Sequence, residues 1–584
     1  MSNIDWIVLA ITLLAIITYG LYKSRTTKDL DGYFLSNRSM PWPLILLSIM
    51  GTQASAITFL SAPGQAFTDG MRFVQYYFGL PLAMVVLCIT FVPRFSKLRV
   101  FTAYEFLEKR FDLKTRVLTS FLFLLQRGLS TGISIYAPSI ILSSLLGWNI
   151  FLTNIIMGGL LIIYTVSGGA KAVAYTQQLQ FVIIFVGMFL AGYMIVHQLP
   201  EGVGFIDALK VSGATGKLNV ITTGVSNGSF DWKDRYNIWS GVIGGFFLAL
   251  SYFGTDQSQV GRYLTAKNDT ESKIGLLMNG LVKVPMQFFI LLIGALLFTF
   301  YQFKPSPVFH NRSVEQQAYK TVFKDSLQAI KQDYDVLNKQ QNQLTMQFVN
   351  DAHTQPSTDN SLLKDSLLKG DQKMQVLRND YKGYLKKAVP LADNNDTNYI
   401  FLRFVVDYLP VGLIGLLIAI IFLSAWGSIA ASLNALASCT MIDFHQRFRK
   451  NAADEHVDDC NAREYVTSRW YTFGWGIFCI FVAQFANRMG SLIEAVNILG
   501  SLFYGVILGI FLVAFYIKSI GGRAVFWSAV VSEIAVITLF LLNQNGIIGL
   551  SFLWLNVVGA GLVVIIAAIL QGLSGKRVVT VEEV

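Results

Sequence analysis

The chain has 584 residues, 53% of them hydrophobic and 14% charged, where an ordinary soluble domain carries roughly a quarter charged. That excludes an assembly of water-soluble domains. The 46 Lys and Arg against 36 Asp and Glu leave a formal charge of +10, but the excess belongs to the loops of one side, which marks a lipid bilayer and not nucleic acid as the partner.

Apolar runs able to cross a hydrocarbon layer about 30 Å thick recur from end to end. They predict an all-α membrane protein of about 13 transmembrane helices, at residues 6–22, 42–60, 73–92, 117–146, 150–166, 174–196, 239–254, 274–300, 411–441, 471–485, 493–517, 524–542 and 550–570. Asp5 precedes the first run, with neither a basic leader nor a small-residue cleavage site, so the run reads as a span and not as a removable signal. Lys23, Arg25, Lys28 and Arg38 follow the first span, and Arg94, Lys97, Arg99, Lys109, Arg110, Lys114 and Arg116 follow the third. Lys171, Arg262, Lys267, Lys273, Arg447, Arg449, Lys450, Lys518, Arg523, Lys576 and Arg577 fall on that same side. Positive loops stay in the cytoplasm, which predicts a multi-pass inner (plasma) membrane protein with its N-terminus outside and its C-terminus inside.

In the second span, Ser48, Gly51, Thr52, Gln53, Ala54, Ser55 and Thr58 bring small and polar residues to the middle. Such a stretch either packs closely against another helix or unwinds and exposes carbonyls that ligate a hard cation such as sodium. Arg127 lies about ten residues into the fourth span, where a charge costs at least about 2.5 kcal/mol. It either snorkels and meets a helix carbonyl, or captures an anionic solute; its own helix offers no acidic partner. Asp256, followed by Gln257, closes the seventh span as a gating or transport group, or as a helix-end carboxylate paired with Arg262.

Residues 304–398 interrupt the spans and divide the chain into 1–303, 304–398 and 399–584. Leu327, Ile330, Tyr334, Leu337 and Leu344 recur at helical spacing, as do Leu363, Leu367, Met374, Leu377 and Tyr381, with a breaker at Gln355-Pro356-Ser357. An external helical hairpin is predicted, serving as a lid, a stalk or a docking surface for a partner. The ninth span then repeats the polar pattern from Ser424 through Ser428 to Asn434, and two such clusters far apart in sequence favour a sodium cage over packing.

Other chemistries lack their residues. No phosphate loop occurs, and His197, His310, His353, His445 and His456, like Cys88, Cys439, Cys460 and Cys479, lack metal-ligand spacing. Gly128-Leu129-Ser130-Thr131-Gly132 matches GxSxG but lies inside an apolar helix, where no nucleophile elbow forms. No enzyme is therefore expected. A transport-inactive sensor or receptor using the same cavity is the alternative from another class.

Several stretches occur in a telling order: Gly32-Tyr33-Phe34-Leu35-Ser36-Asn37-Arg38, Tyr136-Ala137-Pro138, Gly168-Gly169-Ala170-Lys171-Ala172-Val173, Asp256-Gln257 through Gly261-Arg262-Tyr263-Leu264, Ser428 to Asn434, and Gly500-Ser501-Leu502-Phe503-Tyr504-Gly505. Together they resemble the sodium/solute symporter family, whose members carry sugars, proline, iodide, monocarboxylates or sialic acids. The resemblance implies two inverted five-helix repeats beginning at the second and seventh spans, and import by alternating access. It also implies a sodium ion held by the carbonyls of Gly51, Ala54 and Ser424 and the hydroxyl of Ser428. Two positions depart from the family pattern. Gly427 stands where members often have a second hydroxyl, which implies that one sodium ligand is lost or replaced by water. Gln177 stands where many have an Asp associated with an additional cation, which implies one sodium per cycle. Arg127 resembles the arginine that sialic acid carriers use to hold a carboxylate. This implies a small organic anion such as sialic acid or a monocarboxylate, with Ser55, Thr58 and Gln75 lining the same cavity; a neutral sugar or polyol is the alternative solute.

Overall fold

The computed structural model describes residues 1–24, 30–226, 228–354, 361–390, 392–448 and 457–574. Arg25, Lys28, Arg449, Lys450, His456, Lys576, Arg577 and the 355–357 breaker lie outside the described residues, as do the side chains of Lys23, residues 168–172 and Cys460. Every predicted apolar run is helical. The spans are α1 Asn3–Ser24, the broken pair α2 Trp42–Gln53 and α3 Ala56–Asp69, α4 Leu80–Leu98, α5 Leu113–Leu146 and α6 Ile150–His197. They continue as α7 Gly245–Thr255 with its extension α8 Gln257–Tyr263, and α9 Asp269–Phe303. After the hairpin helices α10 Lys324–Thr354 and α11 Ser361–Ala388 come α12 Leu413–Cys439, α13 Val457–Ala483, α14 Leu492–Tyr516, α15 Gly522–Gln544 and α16 Phe552–Ser574.

Local chemistry sets where these helices begin and end. Asp112, Asn149 and Asn268 cap α5, α6 and α9 by accepting a first-turn amide, and Gly147 closes α5 in the left-handed conformation that glycine adopts freely. Asp5 accepts from the amides of Gly412 (2.6 Å) and Gly415 (3.3 Å), so the first span caps the start of α12. α6 holds two predicted spans in one helical run. The Tyr164 hydroxyl nevertheless lies 2.8 Å from that of Thr176, whereas a straight helix would separate residues twelve apart by about 18 Å. The run therefore folds back on itself, and its arms are two antiparallel spans.

α12 is buried along nearly its whole length and packs against α1, α5, α6 and α13. α15 lies at the periphery, with Trp527, Val531, Ile534 and Leu541 exposed, as lipid-facing residues should be. The helices that open the two predicted repeats are both broken. α2 and α3 meet at 60° through Ala54 and Ser55, and α7 ends at Asp256, whose extended ψ of 116° starts α8 afresh.

The hairpin forms as predicted, with α10 and α11 packed together, but it buries its own stripe only at its base. There Val308, Phe309, Leu327, Tyr334, Met374, Tyr381 and Leu385 make a separate core. Farther out, Phe348, Val349 and Leu367 share a core with Val211, Ala214 and Phe303, residues of the loop helix Phe205–Ala214 and of α9. Arg378 of α11 reaches Ser306, Pro307 and Tyr334 and lies 5.6 Å from the ring of Phe67 on α3.

Candidate sodium and solute site

A cavity of about 1040 Å³ opens beside the α2–α3 break, with walls from α3, α5, α7, α9, α12 and α14. Thr52, Ser55 and Thr58 line it from the break, Ser130, Ser134 and Arg127 from α5, Lys283 from α9, Ser428 and Ser432 from α12, and Asn497 and Tyr504 from α14. Two cations and no carboxylate stand among its lining residues.

The break supplies what a sodium ion requires. A helix leaves its last four carbonyls without intrahelical partners. Met50 and Gln53 regain donors, from the Ala54 amide at 2.7 Å and the Thr58 hydroxyl at 3.2 Å. Among the described residues no such cap or side-chain donor reaches the carbonyls of Gly51 or Ala54. Ser428 donates to Ala425 at 3.0 Å, which keeps the lone pairs of its hydroxyl free. Uncharged carbonyl and hydroxyl oxygens beside a membrane-buried break suit a monovalent hard cation, so Gly51, Ala54 and Ser428 fit as its holders. Ser424, by contrast, lies inside the continuous α12, where a helix normally uses its carbonyl.

The two sequence departures are parts of one arrangement. The Gln177 amide nitrogen donates to the Gly427 carbonyl (3.1 Å) and the Thr52 hydroxyl (3.3 Å), and its oxygen accepts from Ser48 (3.0 Å). A Cβ on Gly427 would stand 2.7 Å from Gln180 Oε1 and 3.2 Å from Gln177 Cγ, and one on Gly51 only 2.9 Å from Gln177 Cβ. Gln177 thus joins the two polar clusters, and Gln180 together with Gln177 fills the space that a second hydroxyl would need.

Arg127 is not left unpaired. Its guanidinium forms an ion pair with Asp256 and also reaches the Tyr504 hydroxyl at 3.3 Å. That hydroxyl in turn donates to Asp256 at 2.7 Å, and the Tyr252 ring stacks 5.4 Å away. Asp256 lies at the α7–α8 junction and pairs with Arg127 in place of Arg262, the partner suggested by the sequence. The second Asp256 oxygen accepts from the Ser258 amide (2.8 Å) and hydroxyl (2.6 Å), capping α8. Arg127 Nε remains buried without a partner among the described residues, as does the amide oxygen of neighbouring Gln126.

Two other predicted residues lie elsewhere. Gln75 is turned away from the cavity: it donates to the Tyr236 carbonyl (3.0 Å) and the Thr222 hydroxyl (3.1 Å) and accepts from the Thr222 amide (3.1 Å). Its role is to anchor an outer loop. Gln257 likewise binds backbone, donating to Phe101 (2.7 Å) and accepting from Ala103 (3.0 Å). Ser55, Thr58 and Arg127 do share the cavity. Lys283 was not among the sequence candidates. It is 2% exposed and lies 5.6 Å from the Tyr77 ring; a lysine inside an apolar run was the signal that could have found it.

The family model described as the Sodium:solute symporter family matches residues 33–327 and 378–570, the gap falling within the hairpin. A sodium/sialic acid symporter of Proteus mirabilis is 26% identical over 571 residues, covering 97% of this chain and 94% of that protein. One from Aliivibrio fischeri is 25% identical, covering 97% and 92%. Sodium-coupled monocarboxylate transporter 1 of Xenopus laevis is 30% identical over 286 residues, 47% of this chain and 43% of that protein. A solved Na+-coupled sialic acid symporter in a substrate-bound outward-open state, 23% identical, superposes over 99% of this chain and 100% of its own with a TM-score of 0.73. The fold is therefore the five-plus-five inverted-repeat core around two broken helices. The chain belongs to the sodium:solute symporter family: it is a multi-pass membrane protein that couples the movement of a small solute to sodium.

Proposed function

We propose that the solute is a small carboxylate, of the sialic acid or monocarboxylate class, imported chemically unchanged with one sodium ion per cycle. The observation that supports this is the cavity's charge: Arg127 and Lys283 line it, and no carboxylate does. Asp256 offsets one cation from behind the wall, which leaves Lys283 for an arriving anion. Arginine stays charged at any accessible pH and offers a planar fork of donors suited to carboxylate, and Nε still has its proton to give. The hydroxyls of Ser55, Thr58, Ser130 and Ser134 would serve a polyhydroxylated body. These same hydroxyls, with Arg127 already paired, favour a neutral sugar or polyol as the second reading.

The basic-loop side is the cytoplasm of a plasma (inner) membrane in this reading, so the hairpin stands outside as a lid or docking surface. Thermal unfolding with sialic acids, monocarboxylates, sugars and polyols, with and without sodium, separates the readings, since a ligand of the folded state raises its stability. A sodium-dependent shift with carboxylates alone is expected. Shifts with neutral sugars alone would replace the proposal, and equal uptake by proteoliposomes in sodium and choline media would end it.

A further inference from the structure

On the face opposite the hairpin, an open pocket of about 820 Å³ lies between the ends of α4, α8 and α9. Two of the sequence stretches meet here away from the solute cavity, since Arg38 ends one and Tyr263 stands at the far end of another. We propose that this pocket is a binding site for a phosphate group, separate from the solute site and borne either by an anionic lipid or by a soluble phosphate.

Backbone geometry gathers three cations. Arg38 donates to the carbonyls of Arg99 (3.0 Å) and Val100 (3.1 Å). Two residues on, Met40 bonds to the Thr265 carbonyl (3.0 Å) and accepts from the Lys267 amide (3.0 Å). Arg38, Arg99 and Lys267 thereby line one pocket. The nearby carboxylates already have donors: Asp269 accepts from the Ser96 hydroxyl and Glu271 from the Trp42 amide at 2.5 Å. Three lining cations against these two carboxylates leave the pocket net positive, and guanidinium and ammonium groups are the usual readers of phosphate. An independent observation points to a ligand. Tyr263 lines the pocket and is 1% exposed, yet its hydroxyl has no hydrogen-bond partner among the described residues. A buried donor left unmade is costly, and a phosphate oxygen would satisfy it. Basic pockets between helices on the positive side of a membrane protein are also where anionic headgroups settle.

The test uses the purified full chain. Its thermal unfolding is measured in inorganic phosphate against chloride of equal ionic strength, and in vesicles of phosphatidylcholine with or without phosphatidylglycerol. A stabilising shift with phosphate identifies a soluble phosphate, and a shift with phosphatidylglycerol alone identifies a lipid headgroup. Either shift should disappear in Arg99→Gln with Lys267→Gln and shrink in Tyr263→Phe, while sodium-dependent solute binding persists. No shift in either arm, or a shift that both variants retain, overturns the proposal. If the double variant does not fold, Tyr263→Phe decides.

Discussion

Arg127 and Asp256 stand 129 positions apart in the chain and share one buried ion pair. Removing one half of such a pair costs about 3–5 kcal/mol, because the other charge stays buried alone. Arg127→Gln is therefore expected to lower the unfolding temperature markedly, and adding Asp256→Asn to recover most of the loss while anion binding stays abolished. Wild-type carboxylate binding by the double variant, measured by titration, would remove Arg127 from the site. For the ion, Ser428→Ala deletes a neutral oxygen ligand to a charge, an interaction of about 1.5–3 kcal/mol. Half-saturating sodium should rise by roughly tenfold to a hundredfold; unchanged sodium activation would show that Ser428 is not a ligand. Lipid makes every intramembrane charge conspicuous in sequence, so Arg127 and Asp256 stand out, and Lys283 meets the same criterion. Their pairing does not show, because separation along the chain carries no information about contact. Gln75 is the opposite case: a polar residue at a span end reads alike whether it faces a cavity or anchors a loop.

Among the elements, the break in the second span was legible as a cluster of small and polar residues, which weaken a membrane helix where they occur together. The like cluster in the ninth span lies in the unbroken α12, and the break at Asp256 read in sequence only as the end of a span. The hairpin was legible by its 3.6-residue stripe, but the stripe is the same whether it faces a second hairpin helix or a neighbouring loop, so the shared outer core was not. Leu367→Ala should cost about 2–5 kcal/mol of local packing and expose the outer half of the hairpin to protease sooner, leaving its base protected. Equal cleavage rates would mean that the outer core does not hold it. The hairpin base also responds to pH. Burial pushes Asp393 up from 3.8 to about 8 and His310 down from 6.5 to about 4. Between 3.8 and about 8, an unfolded Asp393 releases a proton that the folded one keeps, so this contribution to stability falls as pH rises. His310 acts in the other direction, with stability lost as pH drops from 6.5 to about 4. Above pH 6.5 only the Asp393 contribution still changes, so Asp393→Asn should flatten the decline of thermal stability from pH 6.5 to 8. A decline unchanged in that variant would assign it to another group.

For the whole molecule, charge asymmetry predicts orientation and Gln177 predicts stoichiometry. Cys88, Cys439 and Cys479 are buried, so in a Cys460→Ser background an impermeant thiol reagent should label Val336→Cys on intact cells. Lys267→Cys should react only after permeabilisation; the reverse pattern would invert the topology. With the Gln177 amide donating to the Gly427 carbonyl and the Thr52 hydroxyl, these two oxygens already receive hydrogen-bond donors, and reversal potentials in proteoliposomes should report one sodium per solute. A value of two would refute this.

The ion pair behind the cavity wall also bears on turnover. In the proposed reading, a carboxylate arriving at Arg127 meets a guanidinium already paired with Asp256 and does not quench a bare charge, so loading gains the free Nε contact but little net electrostatic energy. Discrimination by charge then does not require tight retention. If Arg127 holds the solute carboxylate as proposed, Asp256 at the start of α8 would compete with it for the guanidinium and hasten its departure. A carrier built this way should combine modest affinity with rapid release.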